Sequence, residues 1–275
     1  MDMAARSATD PAIRLRDLVA APGAEIDIAE AALACAELDR VGLDLAPYRA
    51  HLANLAREAR TLPGDSPPED LAALLADGHG YRGDQDTYED LANADLTHVI
   101  DRRRGLPVAL AIVWMHTARA RGWRCVGLNM PAHFLLRLVA GDRSWVLDPF
   151  AGGEALDRAG LALRMARLRA AAPGLRAEDL AELDDRAVLL RLQNNIRVRL
   201  QQAGNTQRAL DVLGRMLVVA PGALELWQEA SALHEALGSL RAARDCLDSA
   251  MALAGTSPAR QRIAIERARL ASRLN

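Results

Sequence analysis

An imidazole and a carboxylate, at His133 and Asp148, have the residue types and spacing for acid–base chemistry. They lie on two predicted strands joined by a short turn at Ala140-Gly141 or Gly141-Asp142. A two-residue turn of either kind puts both side chains on one face, with their backbones about 5 to 8 Å apart. Asp148 would then hold the imidazole in one tautomer, as the third member of a catalytic triad does. An odd-length turn would separate them, leaving a strand-end histidine bonded to backbone and an Asp-Pro turn that closes the sheet.

The absence of lysine and the spacing of the cysteines and histidines argue against several classes of catalytic and metal site. All 34 basic residues are arginine, which excludes a Schiff-base lysine and a P-loop lysine. Cys35, Cys125 and Cys246 form no CxxC pair, so we expect three small buried side chains and no disulfide or structural zinc. The histidines do not have the spacing of a metal site, and we predict neither a metal nor a cofactor. The basic run Asp101 to Arg104 favours a solvated helix end over an anion site.

The elements that position His133 and Asp148 belong to one region of the chain. Seven of the nine aromatic residues fall between residues 81 and 150. Within this region Pro107 to Arg121 predicts an apolar helix, buried on nearly every side and opened by a proline where no amide hydrogen is needed. Three strands should follow, at Trp123–Met130, His133–Val139 and Ser144–Leu147, as an antiparallel meander.

Helices are predicted on both sides of this region. Apolar residues recur at helical spacing over residues 10–60 and 69–76, and everything after residue 150 also reads as helical, with a turn near 172–174. A shift of 34 residues aligns Gly204 with Gly238 and Ala209 with Ala243. This pattern resembles two tetratricopeptide repeats, although a generic helical hairpin is the alternative. The predicted segments are a helical N-terminal part, 1–80; a core, 81–172; and a helical region, 173–275, with repeats at about 190–223 and 224–257 and a capping helix at 258–275.

Three ordered blocks carry a resemblance to a known family. They are NADLTHVIDRRRGLPVAL at 93–110, GLNMPAHFLLR at 127–137 and LDPFAGG at 147–153. With the C-terminal repeats, they resemble the SirB-type branch of the transglutaminase-like superfamily. The resemblance implies an α+β fold with a papain-like core, made of a buried helix and a small antiparallel sheet. It also implies that His133 and Asp148 match the second and third members of that superfamily's catalytic triad.

The nucleophile of the triad is missing. The resemblance places a cysteine at the start of the buried helix, where Pro107 stands in this sequence. Cys125 is the obvious substitute, but we expect it opposite about Leu136, too far from His133. Ser144 and Thr97 stay open as alternatives, although nothing near them in the sequence activates a hydroxyl.

These observations predict a non-catalytic binding or regulatory protein, with a protein or peptide partner bound by the repeat groove around Asn194, Arg197 and Gln228. The alternative is an atypical hydrolase or acyltransferase that uses His133 and Asp148 with another nucleophile or an activated water. Nucleic-acid binding is a third interpretation, and the net charge of -2 argues against it. The sequence has no apolar run of the length that spans a bilayer, so we expect a cytoplasmic protein.

Overall fold

The computed structural model describes residues 10–20, 25–130, 133–171 and 181–274. The chain divides into two compact units, residues 1–192 and 193–275, and each is described by itself. The α+β class predicted from the sequence is confirmed. The predicted turn near residues 172–174 lies outside the described residues.

Helices of the first unit begin where the sequence supplies a capping side chain or an early proline. Asp10, Asp27 and Asp95 accept hydrogen bonds from amides of the first helical turn. The helices are α1 (Pro11–Leu18), α2 (Ile28–Asp39), α3 (Ala46–Ala59), α4 (Pro67–Ala72, continued by a π-helical turn, Ala73–Gly78), a 3₁₀ turn (Leu91–Ala94), α5 (Leu96–Arg102), α6 (Pro107–Ala120), α7 (Arg158–Ala171) and α8 (Asp185–Gln202), whose last residues belong to the second unit.

Helix α6 lies at the centre of the first unit. Every residue from Pro107 to Met115 is buried, which confirms the prediction of a helix buried on nearly every side. Helices α2, α3 and α4 pack against it, together with strands of the main sheet. Since burying one large aliphatic side chain is worth about 1.5 to 3 kcal/mol, this helix is the main apolar contribution to the core.

The main sheet is antiparallel, with the order β6-β5-β4-β3-β7. Its strands are β3 (Arg124–Met130), β4 (His133–Ala140), β5 (Arg143–Asp148), β6 (Glu154–Leu156) and β7 (Glu182–Leu183), and a separate parallel pair joins β1 (Arg82–Gly83) to β2 (Arg104–Gly105). Ala140 pairs with Arg143, which confirms the predicted two-residue turn at Gly141-Asp142.

The prediction that everything after residue 150 is helical was wrong at two places, β6 and β7. Both strands are too short to show an alternating pattern, and each is formed by pairing along an edge of the sheet. Gly152 and Gly153 therefore turn the chain back beside β5 instead of leading it out of the sheet.

The second unit is helical: α9 (Thr206–Val219), α10 (Leu224–Ala236), α11 (Leu240–Leu253) and α12 (Ser257–Leu274). The aligned glycines Gly204 and Gly238 both have a positive φ just before a new helix, a conformation that favours glycine. The aligned alanines Ala209 and Ala243 are both fully buried. The 34-residue correspondence thus reflects two equivalent helical hairpins, and α12 covers the second one with Ile263 and Leu270.

Gly153 provides a stability test of the contact between the core helix and the sheet. A Cβ atom there would lie 2.0 Å from the Trp114 ring, at a φ of +85°. Gly122 has nearly the same φ, +87°, but no described atom within 4 Å of its Cβ position. We expect Gly153→Ala to lower the free energy of unfolding by about 1 to 3 kcal/mol more than Gly122→Ala, measured by chemical denaturation. Equal losses in the two variants would show that Trp114 does not depend on this close approach.

Candidate functional site

Strands β4 and β5 bring His133 and Asp148 together. Leu136 pairs with Leu147, so that His133 and Asp148 are diagonal neighbours on one face of the sheet. The His133 Nε2 atom lies 2.9 Å from Asp148 Oδ2. The Asp148 side chain is 1% exposed and the His133 side chain 20%. The predicted geometry of the pair is therefore observed, and the imidazole has an accessible edge.

The Asp148 carboxylate is surrounded by donors. Its Oδ1 atom accepts hydrogen bonds from the amides of Phe150 and Ala151, at 3.0 and 3.3 Å. Its Oδ2 atom accepts hydrogen bonds from His133 and Arg164. Burial raises the pKa of Asp148, but the hydrogen bond from His133 and the charges of His133 and Arg164 outweigh it, so the pKa lies below its ordinary value. Asp148 is a carboxylate at neutral pH.

Arg164, on α7, is a member of the site that the sequence analysis missed. Its guanidinium bridges two strands, pairing with Asp148 on β5 and with Glu154 on β6, the latter at 2.8 Å. Its Nη1 atom also lies 3.5 Å from His133 Nε2. No local motif marks Arg164, because an arginine on a helix is ordinarily a solvated side chain. Both His133 and Arg164 thus hold the same oxygen of Asp148.

Arg191, on α8, was also missed. It donates hydrogen bonds to the carbonyl oxygens of Met130, at 2.9 Å, and His133, at 3.2 Å. It donates another to the Asn129 side chain. These bonds join the end of β3 to the start of β4, so that Arg191 fixes the backbone that carries the imidazole.

An aromatic wall lies beside the imidazole. The centroid of the Phe150 ring lies 6.2 Å from that of the His133 ring, and the centroid of the Tyr88 ring lies 5.9 Å from that of Phe150. Both pairs are edge to face. The loop that carries Tyr88 is fixed by Asp84, which accepts hydrogen bonds from Thr87 and from Arg102. Hydrogen bonds from the Thr87 hydroxyl and amide lower the pKa of Asp84 to about 2, although burial opposes them. Asp84 is therefore a charged anchor of the loop.

Pro107 is the first residue of α6, the position where the resemblance expects a cysteine. Its side chain carries no sulfur, oxygen or nitrogen donor. Leu106 precedes it in extended conformation, and the Leu106 amide donates to the Asn93 carbonyl at 2.8 Å. The start of the helix is thus held by the first of the three sequence blocks.

The three cysteines lie elsewhere and are buried. Cys125 pairs with Leu138, not with Leu136 as predicted, because only residues 131 and 132 separate β3 from β4. Met130 is the partner of His133, so Cys125 lies five residues, or about 16 Å, further along the strand. Burial raises the pKa of the Cys125 thiol to about 12, although the charges of two arginines oppose it. Cys125 is therefore a buried, protonated thiol far from His133.

The two hydroxyl alternatives are also placed. Thr97 is fully buried at the start of α5, and its hydroxyl donates to Asp95 Oδ1 at 2.6 Å. Ser144 is exposed on β5, paired with Val139 near the far end of the hairpin from Asp148. Neither side chain is shown bonded to His133.

Asn194 and Arg197 are neighbours on α8, and Gln228 lies on α10 next to a residue that pairs with Arg197. Arg197 is 9% exposed, and it donates to Asn194 Oδ1 at 2.7 Å and to Gln201 Oε1 at 2.6 Å. It also pairs with Glu229 on α10, next to the half-buried Gln228. A binding role for Asn194, Arg197 and Gln228 stays a prediction.

Metal-binding clusters and membrane-spanning helices are both absent from the part of the chain that the structure describes. No group of three or more histidine, cysteine, aspartate or glutamate side chains there is arranged to hold a metal ion. Within the same ranges, no helix combines the length and apolar character needed to cross a membrane.

Replacing Asp148 with Asn tests the carboxylate. The change removes the charge that His133 and Arg164 share, and we expect a loss of about 1 to 3 kcal/mol in the free energy of unfolding at pH 7. Because the native pKa lies below the ordinary value of 3.8, the carboxylate stabilises the fold above that pH and less so as the pH falls through the native pKa. The difference between wild type and Asp148→Asn should shrink below about pH 4.

The matched control for this measurement is Asp142→Asn, at an exposed aspartate in the turn of the same hairpin. It should cost less than about 0.5 kcal/mol. A difference between wild type and Asp148→Asn that stays constant down to pH 2 would contradict the assignment of a charged, strongly bonded Asp148.

Comparison with known proteins supports the resemblance. A family model described as the transglutaminase-like superfamily matches residues 46–194, and a tetratricopeptide-repeat model matches residues 196–272. A UPF0162 protein of Xylella fastidiosa (strain 9a5c) is 33% identical over 171 residues, 61% of each chain. A UPF0162 protein of Pseudomonas aeruginosa is 33% identical over 168 residues, 61% of this chain and 58% of the relative.

A shorter match is to F-box only protein 21 of Mus musculus, 31% identical over 77 residues, which are 28% of this chain and 12% of that protein. The chain thus spans about three fifths of the length of the UPF0162 relatives that it matches. The first family model covers more than half of the chain. The chain belongs to the transglutaminase-like superfamily, in its SirB-type branch with C-terminal tetratricopeptide repeats.

Proposed function

We propose that this chain is a non-catalytic protein-binding or regulatory protein. In this proposal the transglutaminase-like cleft retains His133 and Asp148 but has no nucleophile, and the repeat region binds a protein or peptide partner. The combination of a transglutaminase-like core with tetratricopeptide repeats suggests a protein-interaction or regulatory role.

The observation that carries the proposal is Pro107 at the start of α6. A cysteine is suited to a helix N-terminus because the helix dipole lowers its thiol pKa and the free amides stabilise an oxyanion. Proline keeps the helix and its dipole but offers no attacking atom and no amide hydrogen. Acyl transfer through a covalent intermediate therefore has no starting point at this position.

The surroundings of Asp148 support the same interpretation. In a working triad the carboxylate orients the imidazole and stabilises its positive charge. Here Arg164 already pairs with the oxygen that faces His133. The pair is therefore built into a structural ion-pair network, which explains its persistence without requiring a reaction.

The repeats supply the second part of the proposal. Tetratricopeptide repeats generally mediate protein–protein interaction, using the concave surface formed by stacked helical hairpins. Two repeats make a small groove, so the partner is best matched by a short peptide segment. The free thiols of all three cysteines favour a reducing compartment, which supports a cytoplasmic location.

Thiol labelling tests the missing nucleophile. In the folded protein Cys35, Cys125 and Cys246 should all react slowly with iodoacetamide at pH 7, because they are buried and the pKa of Cys125 is raised to about 12. In Pro107→Cys, the added thiol should react about tenfold faster than the native cysteines although position 107 is also buried, because the helix N-terminus lowers its pKa and the resemblance places His133 beside it. Mass mapping after timed labelling gives the rate at each position.

The control is the double variant Pro107→Cys, His133→Ala, in which the added thiol should lose most of that advantage. A thiol in Pro107→Cys that reacts as slowly as the native cysteines, or equally fast with and without His133, would contradict the expected proximity of His133 to the helix start. A hyper-reactive Cys125 in the wild type would instead support the rival function, an atypical hydrolase or acyltransferase.

The rival rests on one specific observation, the intact 2.9 Å contact between His133 and Asp148. An activated water would be its nucleophile in the absence of a nearby thiol. This reading leaves the ion pair between Arg164 and Asp148 without a catalytic purpose, which is why we favour the non-catalytic proposal.

Partner capture tests the repeat groove. With the full chain immobilised, Asn194→Ala and Gln228→Ala should each reduce the captured amount of the main partner several-fold, because each shortens a polar side chain of the predicted groove. Arg197 itself is less suitable, since its burial makes its loss a stability change. Gln207→Ala, an exposed position on α9, is the control and should leave capture unchanged. Equal capture by all variants would count against this groove as the binding surface.

A further inference from the structure

A polar cavity of about 350 Å³ adjoins the aromatic wall of the cleft. Phe150 lines this cavity and also contacts the His133 ring. The other lining residues come from the two-residue strands, from the loop that follows β1 and from the turn after β5: Arg82, Gly83, Gln85, Asp86, Arg104, Ala151 and Gly152. All of them belong to the first unit.

The parallel pair β1–β2 determines which side chains reach the cavity. Arg82 pairs with Arg104 and Gly83 with Gly105, so the arginines share one face and the glycines the other. The glycine face is closed by close packing: a Cβ atom on Gly83 would lie 2.4 Å from the Phe150 ring, and one on Gly105 would lie 2.7 Å from Val99. The two guanidinium groups are therefore held on the open face.

The remaining wall is held by the same network that holds Asp148. The Gly83 amide donates to the Phe150 carbonyl at 2.9 Å, and Asp148 accepts from the Phe150 and Ala151 amides. On the loop side, Asp84 accepts from the Asp86 amide at 3.0 Å. The cavity is thus framed by fixed backbone on two sides.

The charges of the cavity favour a single negative group. Arg82 pairs with Asp77 at 3.1 Å, but both side chains are more than half exposed, so this pair is weak in water. Among the described residues, Arg104 is recorded donating only to the Gly83 carbonyl, at 3.5 Å. The lining holds two guanidinium groups and the one carboxylate of Asp86, while Asp77, which pairs with Arg82, lies outside the lining.

We propose that this cavity binds the carboxylate of an acidic side chain in a peptide that occupies the cleft. A guanidinium matches a carboxylate with two parallel hydrogen bonds, and Gln85 and Asp86 can accept the amide hydrogens of the bound peptide. The volume is near the lower end of small-molecule sites, which fits one amino-acid side chain with its backbone. Asp86 disfavours a doubly charged phosphate. The inference rests on the proposed function, because it gives the chemistry of the peptide partner.

The test uses the full chain, labelled with ¹⁵N, and two capped peptides, acetyl-Ala-Glu-Ala-amide and acetyl-Ala-Gln-Ala-amide. We expect the Glu peptide to shift the amide signals of Gly83 and Gly152 and to bind at least about tenfold more tightly than the Gln peptide. Binding of the Glu peptide should weaken as salt is raised. Arg104→Gln and Arg82→Gln should each weaken it about tenfold, while Arg16→Gln, at an exposed arginine on α1, should not.

Three results would overturn the inference. They are equal binding of the two peptides, full affinity in Arg104→Gln and Arg82→Gln, and tighter binding of inorganic phosphate than of the Glu peptide with the same amides shifted. Failure of the proposed function is distinguishable, because it appears as a reactive native thiol or as turnover, and neither depends on Arg82 or Arg104. Selective Glu binding by a chain that proves catalytic would keep this site and remove the non-catalytic proposal.

Discussion

Burial of helix α6 is the constraint on which the rest of the first unit depends. A helix that is apolar on every face must be covered on every face, and the covering elements have to approach closely. Trp114 fills the space where a side chain at Gly153 would stand. The Gly153 amide in turn donates to the Asp148 carbonyl at 2.8 Å. Packing of the helix therefore fixes the turn after Asp148. The contact between Asp148 and His133 depends on this packing of the core.

This dependence explains how the pair is compatible with a proline at the start of α6. Asp148 satisfies its buried carboxylate with two amides and two cationic or polar side chains, and none of these bonds involves Pro107. Losing a thiol at the helix start would cost the fold little, whereas losing Asp148 would leave buried donors without an acceptor. The contacts of Asp148 therefore have a structural role that does not depend on a reaction at Pro107.

The basic run before α6 has three separate tasks. Arg102 pairs with Asp84 and fixes the loop that carries Tyr88. Arg103, with a φ of +55°, donates to the Tyr81 hydroxyl at 2.9 Å. Arg104 faces the polar cavity. In the sequence these arginines form one cluster, which we predicted to be a solvated helix end. In the structure each of the three has a different contact. Their contacts are with residues distant in sequence, and such contacts leave no pattern in the local sequence.

The same distinction separates what could be predicted from what could not. The two-residue turn at Gly141-Asp142, the apolar helix from Pro107 and the repeat with Gly204 and Gly238 carry strong local signals, and all three are observed. Strands β6 and β7 exist only because an edge of the sheet was available to pair with them. Arg164 and Arg191 enter the site from helices whose sequences look solvated. The proposal that this site performs no acyl chemistry can be tested with an activated ester and a glutaminyl peptide amide, by comparing turnover in wild type and in folded His133→Ala. Both proteins should match the uncatalysed rate; turnover by wild type that disappears in His133→Ala would contradict the non-catalytic proposal.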